Sequence, residues 1–418
     1  MESPTIPAFD RYSREPIAPE TLAVLRDFAA GDLSRPLGHP HADWQAVFAA
    51  VCNNGLLGVT YHYLIANGQA ACPPVEFRES VTHTYRLTAL RMALIYRAMS
   101  QVVQVLNEAG LDYLVVKGPM TAYGLYPDPS ARIFNDLDVI VRERDWSRTH
   151  QLLTGMGFEQ QDHLPDPPPK LIAEAVPYET QYWNTRLGIK VEVHYDDILN
   201  AGLASRDVDG FWQRAIPIEV QGQTIRTLSL EDQLIHLCAH MHYHGYVRMN
   251  WFTDVTMLLR QHGERLDWAQ VVQTIRTEEA QVPVYYSLLF LEHLVGVHAP
   301  AEVMAAIQPG RFRRWLHDRY MPPEAILSFQ PTARPDFSFY FRPLFKRMLP
   351  DLLVMGRRRD KLRYLGRLLL PPGDWLCYHY QLSDRRWLPV YYVLHPFRIL
   401  YHYLRETVQV IATGGYVS

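Results

Sequence analysis

The chain has 418 residues, of which 48% are hydrophobic and 20% are charged, and its formal net charge is −3. A chain of this length can bury a large core and is expected to form about two to three globular domains. The slightly acidic balance gives no basic field over the whole chain, which argues against a general nucleic-acid binder. Cysteines without paired metal spacing in so long a chain argue against a disulfide framework and favour a reducing cytoplasm. They are Cys52, Cys72, Cys238 and Cys377.

The N-terminus and the hydropathy pattern predict a soluble protein. Residues 1–7 lack the basic start and apolar core of a secretory signal. No uninterrupted apolar run approaches the ~18 residues that a membrane span needs. We therefore expect a cytoplasmic protein without a transmembrane segment.

The chain divides by pattern into four parts. Residues 1–108 are mainly helical, because apolar residues recur at helical spacing, and they are predicted to pack as an N-terminal cap against the strands that follow. Residues 109–228 carry the α/β pattern, 229–345 form a helical domain, and 346–418 form a basic, aromatic helical region. The predicted strands lie near 111–116, 137–141, 189–194 and 216–227.

A strand, a glycine turn and a helix open the α/β part. Residues 111–118 read as a short buried strand that ends at Gly118, and the helix-prone segment 119–126 follows. Such a turn directs backbone N–H groups and a helix N-terminus towards an anion, and Lys117 adds a positive charge. The segment predicts a phosphate site at Lys117 and Gly118.

Two aspartates one residue apart, Asp136 and Asp138, are the most informative feature for function. On a strand both carboxylates share one face, while Leu137, Val139 and Val141 point to the other. Like charges side by side are costly unless a cation neutralises them, and hard oxygen ligands select Mg²⁺ or Mn²⁺. The alternative is that one carboxylate caps a helix while the other faces water.

Residues 188–195 alternate, so that Lys190, Glu192 and His194 share one face. If this strand pairs near the aspartates, Glu192 becomes a third carboxylate at the same site. The alternative is the solvated face of a half-buried sheet.

Arg132 precedes the aspartates, and its guanidinium suits phosphate oxygens, although it is equally an ordinary loop arginine.

Together these segments resemble the nucleotidyltransferase superfamily (DNA polymerase beta-like), in particular its bacterial branch of uncharacterised nucleotidyltransferases. The resemblance runs from about residue 40 to the region of Asp254. The usual Gly-Ser after the first strand is Lys-Gly here, and the gap to the aspartates is longer. The motifs that carry it are Val116-Lys-Gly118, Leu125-Tyr-Pro-Asp-Pro129, Arg132, Asp136-Leu-Asp138, Gly157-Phe158 and Val191-Glu-Val-His194.

The resemblance implies an α+β fold in which a small mixed sheet is flanked by helices. It implies that Asp136 and Asp138 hold two Mg²⁺ ions and that Glu192 completes the site, as metal ligand, general base or both. Lys117, Gly118 and Arg132 would bind the nucleotide. The reaction expected is transfer of a nucleoside monophosphate from an NTP, by default ATP, to a hydroxyl or other nucleophile on a small molecule, peptide or protein.

Two other function classes fit the same residues. The first is a noncatalytic nucleotide-binding interaction module in a biosynthetic or toxin-antitoxin system, which would bind an NTP without turnover. The second is metal-dependent hydrolysis of phosphate esters, which would break down an NTP without an acceptor. Nucleic acid is the least favoured acceptor because the chain is acidic overall.

A helix is predicted to begin after Ser229, its N-cap. Its histidines recur every four residues, at His236, His240 and His244. Histidines at this spacing can hold a transition metal, but no nearby carboxylates or cysteines complete a tetrahedral set. The resemblance suggests helices flanking the active cleft, with His244, Arg248 or Asp254 near the substrate, and core packing is the simpler interpretation of each.

Two further segments stand out by composition. The proline-rich stretch 162–169 predicts a loop, either a mobile lid or a rigid connection. Residues 355–418 carry ten basic and four acidic residues, a net +6, with interleaved aromatic residues. Such a pattern suits a membrane surface or stacking on bases, or more simply helices whose aromatic residues pack while their arginines face water.

Overall fold

The computed structural model describes most of the chain, and both the proline-rich stretch and Cys72 lie outside the part that it describes. The described residues are 17–31, 38–39, 41–66, 73–161, 179–195, 198–199, 205–329 and, with gaps, 361–413.

Four helices precede the sheet, as the apolar periodicity predicted: α1 (Pro19–Ala29), α2 (Trp44–Asn53), α3 (Leu57–Ala66) and α4 (Val75–Glu108). Asp43 caps α2, accepting hydrogen bonds from the backbone N–H groups of Gln45 and Ala46 at 3.1 Å. The long helix α4 contacts α2 and α3 and also two strands of the sheets, so α4 connects the other N-terminal helices to the strands.

A mixed five-stranded sheet forms the centre of the fold, in the order β1-β2-β5-β4-β3. The parallel pair is β2 and β5, and the other neighbours are antiparallel. The five strands are β1 (Tyr113–Val116), β2 (Asp136–Val141), β3 (Glu159–Gln160), β4 (Glu179–Asn184) and β5 (Ile189–Tyr195). This arrangement, with helices on its flanks, confirms the predicted α+β fold.

Two parts of the strand pattern differ from the prediction. The sequence did not indicate β3 or β4. The predicted strand at 216–227 is a hairpin of β6 (Ile216–Val220) and β7 (Gln223–Thr227). Gln221 and Gly222 both have positive φ, 52° and 74°, and such a two-residue turn matches the twist of a hairpin.

Helices connect the strands and follow the hairpin. Those between strands are α5 (Gly118–Leu125), α6 (Trp146–Gly155) and α7 (Val208–Arg214). Those after it are α8 (Leu230–Tyr243), α9 (Met249–His262), α10 (Trp268–Glu278), α11 (Gln281–Val295), α12 (Ala301–Ile307), α13 (Arg311–Tyr320), α14 (Pro323–Leu327) and α15 (Leu388–Thr413). No helix within the described ranges combines the length and apolar character needed to cross a membrane.

One cluster of buried hydrophobic side chains runs from α1 through the sheet to the segment after α14. Leu137, Val139 and Val141 of β2 are at most 1% exposed, so the face opposite the aspartates is in the core, as the alternation predicted. Ser229 caps α8 by accepting from the N–H of Asp232 at 3.2 Å. The division of the chain at 108, 228 and 345 stays a prediction.

Candidate active site

The candidate site lies where the parallel strands β2 and β5 are in register. Asp136 lies opposite Lys190, and Asp138 lies opposite Glu192. Because side chains alternate along a strand, these four and His194 emerge from the same face of the sheet. The pairing of β2 with β5, which was needed to bring Glu192 beside the aspartates, is therefore present.

Three side chains at this face are close enough to share a metal ion. One ligand atom each of Asp138, Glu192 and His194 all lie within 4.8 Å of one another, and all three residues are buried. His194 Nε2 lies 3.1 Å from Asp138 Oδ1. Two carboxylates fit Mg²⁺ or Mn²⁺, and an imidazole extends the choice to transition metals, so this donor set fits a divalent ion. Asp136 lies further out, its side chain 35% exposed.

Two lysines are already paired with the carboxylates. Lys117 Nζ lies 2.5 Å from Asp138 Oδ1. Lys190 Nζ lies 2.5 Å from Glu192 Oε1 and 3.3 Å from Asp136 Oδ2. Like-charged carboxylates in a buried site need a cation, and the structure supplies two ammonium groups. Three carboxylates and two ammonium groups leave one net negative charge.

The electrostatics keep Lys117, Asp138 and Lys190 ionised. Burial by itself lowers the pKa of Lys117, but the charges of Asp138 and Glu192 outweigh it and raise that pKa above its usual range. Burial by itself raises the pKa of Asp138, yet the Lys117 charge and the His194 hydrogen bond hold it below its usual range. For Lys190, burial is again outweighed by the nearby carboxylates, so its pKa is raised.

The turn between β1 and α5 directs Lys117 to Asp138. Lys117 has φ 55° and ψ −131°, a left-handed conformation that costs an L-residue about 1–3 kcal/mol. Its carbonyl accepts hydrogen bonds from both the backbone N–H and the hydroxyl of Thr121 at 2.8 Å. A Cβ on Gly118 would lie 2.7 Å from the Cβ of Phe134, so this position requires glycine. The Lys-Gly pair is thus built into the turn, while its contact with phosphate stays a prediction.

Arg132, predicted to contact the triphosphate, is buried in an ion pair with Asp254 of α9. Its Nε and Nη2 each lie 2.7 Å from a different oxygen of that carboxylate, a bidentate geometry. Tyr126 donates its hydroxyl to Asp254 at 2.7 Å, and Arg132 Nη1 donates to the Ile133 carbonyl. Burial alone would lower the pKa of Arg132, but Asp254 raises it. The pair fixes α9 to the loop that precedes the aspartates.

Three histidines of α8 and its C-cap form a row of rings, and His236, the first of them, is close enough to Lys117 and Asp138 for their charges to affect its pKa. The parallel rings of His236 and His240 are 6.5 Å apart, and His240 is 4.4 Å from His244. His236 Nδ1 lies 2.7 Å from the Ile198 carbonyl, which only accepts, so Nδ1 carries the proton. Burial, reinforced by the charge of Lys117, lowers the pKa of His236 to about 3. His236 is therefore neutral and packed in the core.

Four contributors to the site were not identified from the sequence: the bridging role of Lys190, the proximity of His194 to the carboxylates, the Asp254 partner of Arg132, and Gln181, which donates to Glu192 at 3.1 Å. The alternation placed the first two on the right face. It gave them no role, because the partner strand was unknown.

Comparison with known proteins identifies the family of the chain. A family model described as "Uncharacterised nucleotidyltransferase" matches residues 40–296, more than half of the chain. This range contains the whole five-stranded sheet and helices α8 and α9. A search of curated proteins and a search of solved structures each found no match. The chain belongs to the uncharacterised nucleotidyltransferase family.

Proposed function

We propose that this protein is a divalent-metal-dependent nucleotidyltransferase that transfers a nucleoside monophosphate from an NTP to a nucleophile and releases pyrophosphate. ATP is the expected donor, Mg²⁺ the expected ion, and a hydroxyl on a small molecule, peptide or protein the expected acceptor. The observation that carries the proposal is the buried group of Asp138, Glu192 and His194 within a chain of this family. We also propose a cytoplasmic location, which suits the buried free thiols of Cys52 and Cys238.

The chain's own residues divide the work. Asp138 and Glu192 would hold the metal, with Asp136 at the outer edge of the same face. When bound, a divalent ion neutralises charge on the α-phosphate and lowers the pKa of an acceptor hydroxyl. Glu192 is the candidate general base, because it is the buried carboxylate opposite Asp138 and lies in the same metal group.

With one divalent ion bound, the net charge of the cluster changes from −1 to +1, which favours the triphosphate. Lys117 stands at the N-terminus of α5, where helix amides and an ammonium group together attract phosphate oxygens. Gly118 lets the backbone turn there without a side chain. Arg132 is close enough to Asp136 for their charges to interact. We propose that the positive charge of Arg132, which Asp254 holds in place, also stabilises the phosphates.

The test is pyrophosphate release from each of the four NTPs with Mg²⁺ and pools of candidate acceptors. Wild type should release pyrophosphate only when an acceptor is present. The variant Glu192→Gln should lose the activity by ~10²–10⁴-fold, the usual contribution of a positioned acid or base. Asp138→Asn, which removes a proposed metal ligand, should lose it as well. Glu159→Gln, an exposed glutamate on the same sheet, is the matched control and should keep it.

The alternatives give different products. Phosphate release from NTP without an acceptor would indicate hydrolysis, and binding without any product would indicate a noncatalytic module. Either result, obtained with folded protein, would contradict the transferase.

A further inference from the structure

The ammonium group of Lys190 lies between two carboxylates from neighbouring strands. Its Nζ is 2.5 Å from Glu192 Oε1 and 3.3 Å from Asp136 Oδ2. The position follows from the register, because Lys190 lies opposite Asp136 on β2 and two residues before Glu192 on β5. A cation shared by two carboxylates is what a second metal ion would provide in a two-ion site.

The candidate metal ligands form a set that shares only Glu192 with the contacts of Lys190. Asp138, Glu192 and His194 are at most 8% exposed, and their ligand atoms lie within 4.8 Å of one another. Asp136 is outside this set. His194 contributes a neutral nitrogen donor, which Mn²⁺ and other transition metals accept more readily than Mg²⁺ does.

The charge of the cluster also favours one ion. With three carboxylates and two ammonium groups the site carries one net negative charge before any metal binds. One divalent ion reverses this to a single positive charge, whereas two ions leave three uncompensated positive charges in a largely buried site. Excess like charge in a buried place is strongly unfavourable.

We infer that the protein itself holds one divalent ion, at Asp138, Glu192 and His194, and that the ammonium group of Lys190 takes the place of a second ion between Asp136 and Glu192. This inference rests on the proposed function, and it replaces the two ions expected from the sequence. It also makes His194 a metal ligand, a role that a set of three carboxylates would not give it.

The experiment is an electron paramagnetic resonance titration of the full chain with Mn²⁺ alone. The count for each protein is the number of ions that it binds minus the number that Glu192→Gln binds. Because Glu192 belongs to both possible sites, the ions that this variant still binds are bound elsewhere on the surface. Wild type, Lys190→Arg and the exposed control Arg186→Met should each bind one ion per chain. Lys190→Met, which removes the ammonium group and keeps the bulk, should bind two.

A second reading comes from the same samples. Electron spin echo modulation of bound Mn²⁺ should show a directly coordinated nitrogen in wild type and in the exposed control His298→Gln. The nitrogen signal should disappear in His194→Gln. This reading and the wild-type count test the single-ion site even if Lys190→Met does not fold.

The inference is overturned by two ions, or none, in wild type, by a single ion in folded Lys190→Met, or by an ion without a nitrogen ligand. Two ions in wild type would leave the proposed transferase intact, because pyrophosphate release is measured independently. If wild type binds one ion through a nitrogen ligand but releases no pyrophosphate, the proposed transferase is contradicted and the metal site is not.

Discussion

Replacing Asp254 by asparagine tests the ion pair that joins helix α9 to the loop before the aspartates. The side chains of Arg132 and Asp254 are only 8% and 1% exposed. Asparagine keeps the shape and still accepts hydrogen bonds from Arg132 and Tyr126, but the buried guanidinium loses its counter-ion. Breaking a buried pair from one side costs about 3–5 kcal/mol. Because some hydrogen bonding survives, we expect a loss of about 3 kcal/mol in the free energy of unfolding.

Urea unfolding followed by far-ultraviolet circular dichroism measures this loss, with Arg132→Gln and the double variant completing a mutant cycle. Residues in direct contact show coupling of about 0.5–3 kcal/mol, so the double variant should lose less than the sum of the single variants. Asp209→Asn is the control, because that carboxylate is 78% exposed in its pair with Arg142. A loss below ~1 kcal/mol in Asp254→Asn, or additive effects in the cycle, would refute the reasoning.

Three other predictions follow from the same neighbourhood. Gly118→Ala places a Cβ 2.7 Å from Phe134 and should lower the free energy of unfolding by about 1–3 kcal/mol. Gly124→Ala, in open space on the same helix, is the control and should be neutral or stabilising. Equal effects of the two substitutions would contradict the close packing at Gly118. Glu192→Gln should remove metal-dependent stabilisation by Mn²⁺ in a melting assay, and a retained shift would exclude it as a ligand. The pKa of His236 is lowered to about 3, from about 6.5 in the unfolded chain. The stability that depends on its neutral ring is therefore fully present above pH 6.5 and is lost as the pH falls, because the unfolded chain then binds a proton that the folded chain does not. This loss reaches about 3 kcal/mol at pH 4.5. His236→Gln should flatten the pH dependence of urea unfolding between pH 6.5 and 4.5, and an unchanged slope would contradict its burial as a neutral ring.

Local patterns were sufficient to predict much of the sheet. Alternation placed Asp136 and Asp138 on one face and Leu137 in the core, because the side-chain period of a strand is fixed by its backbone. Alternation also placed Lys190 and Glu192 together. The turn before α5 was also predicted, because the apolar strand breaks at Gly118, and in the structure a Cβ at this position would lie 2.7 Å from the Cβ of Phe134.

Long-range partners were beyond the reach of those patterns. Nothing in the sequence near Arg132 indicates that its carboxylate lies 122 residues further on, at Asp254. The register that sets Lys190 beside Asp136 depends on which strands pair, and that is decided by the packing of the whole sheet. For this reason the sequence indicated neither the pairing of Arg132 with Asp254 nor the bridge that Lys190 makes between two carboxylates.

The central claim is that the face bearing Asp138 and Glu192 binds a nucleoside triphosphate together with a divalent ion. Isothermal titration of ATP, GTP, CTP and UTP in Mg²⁺ tests it most directly, using wild type, Asp138→Asn and the exposed control Asp209→Asn, with thermal melting to verify that each is folded. We predict that at least one nucleotide binds to wild type and to the control, only with Mg²⁺, and not to Asp138→Asn. Absence of binding to all four nucleotides, or equal binding by Asp138→Asn, would contradict the account.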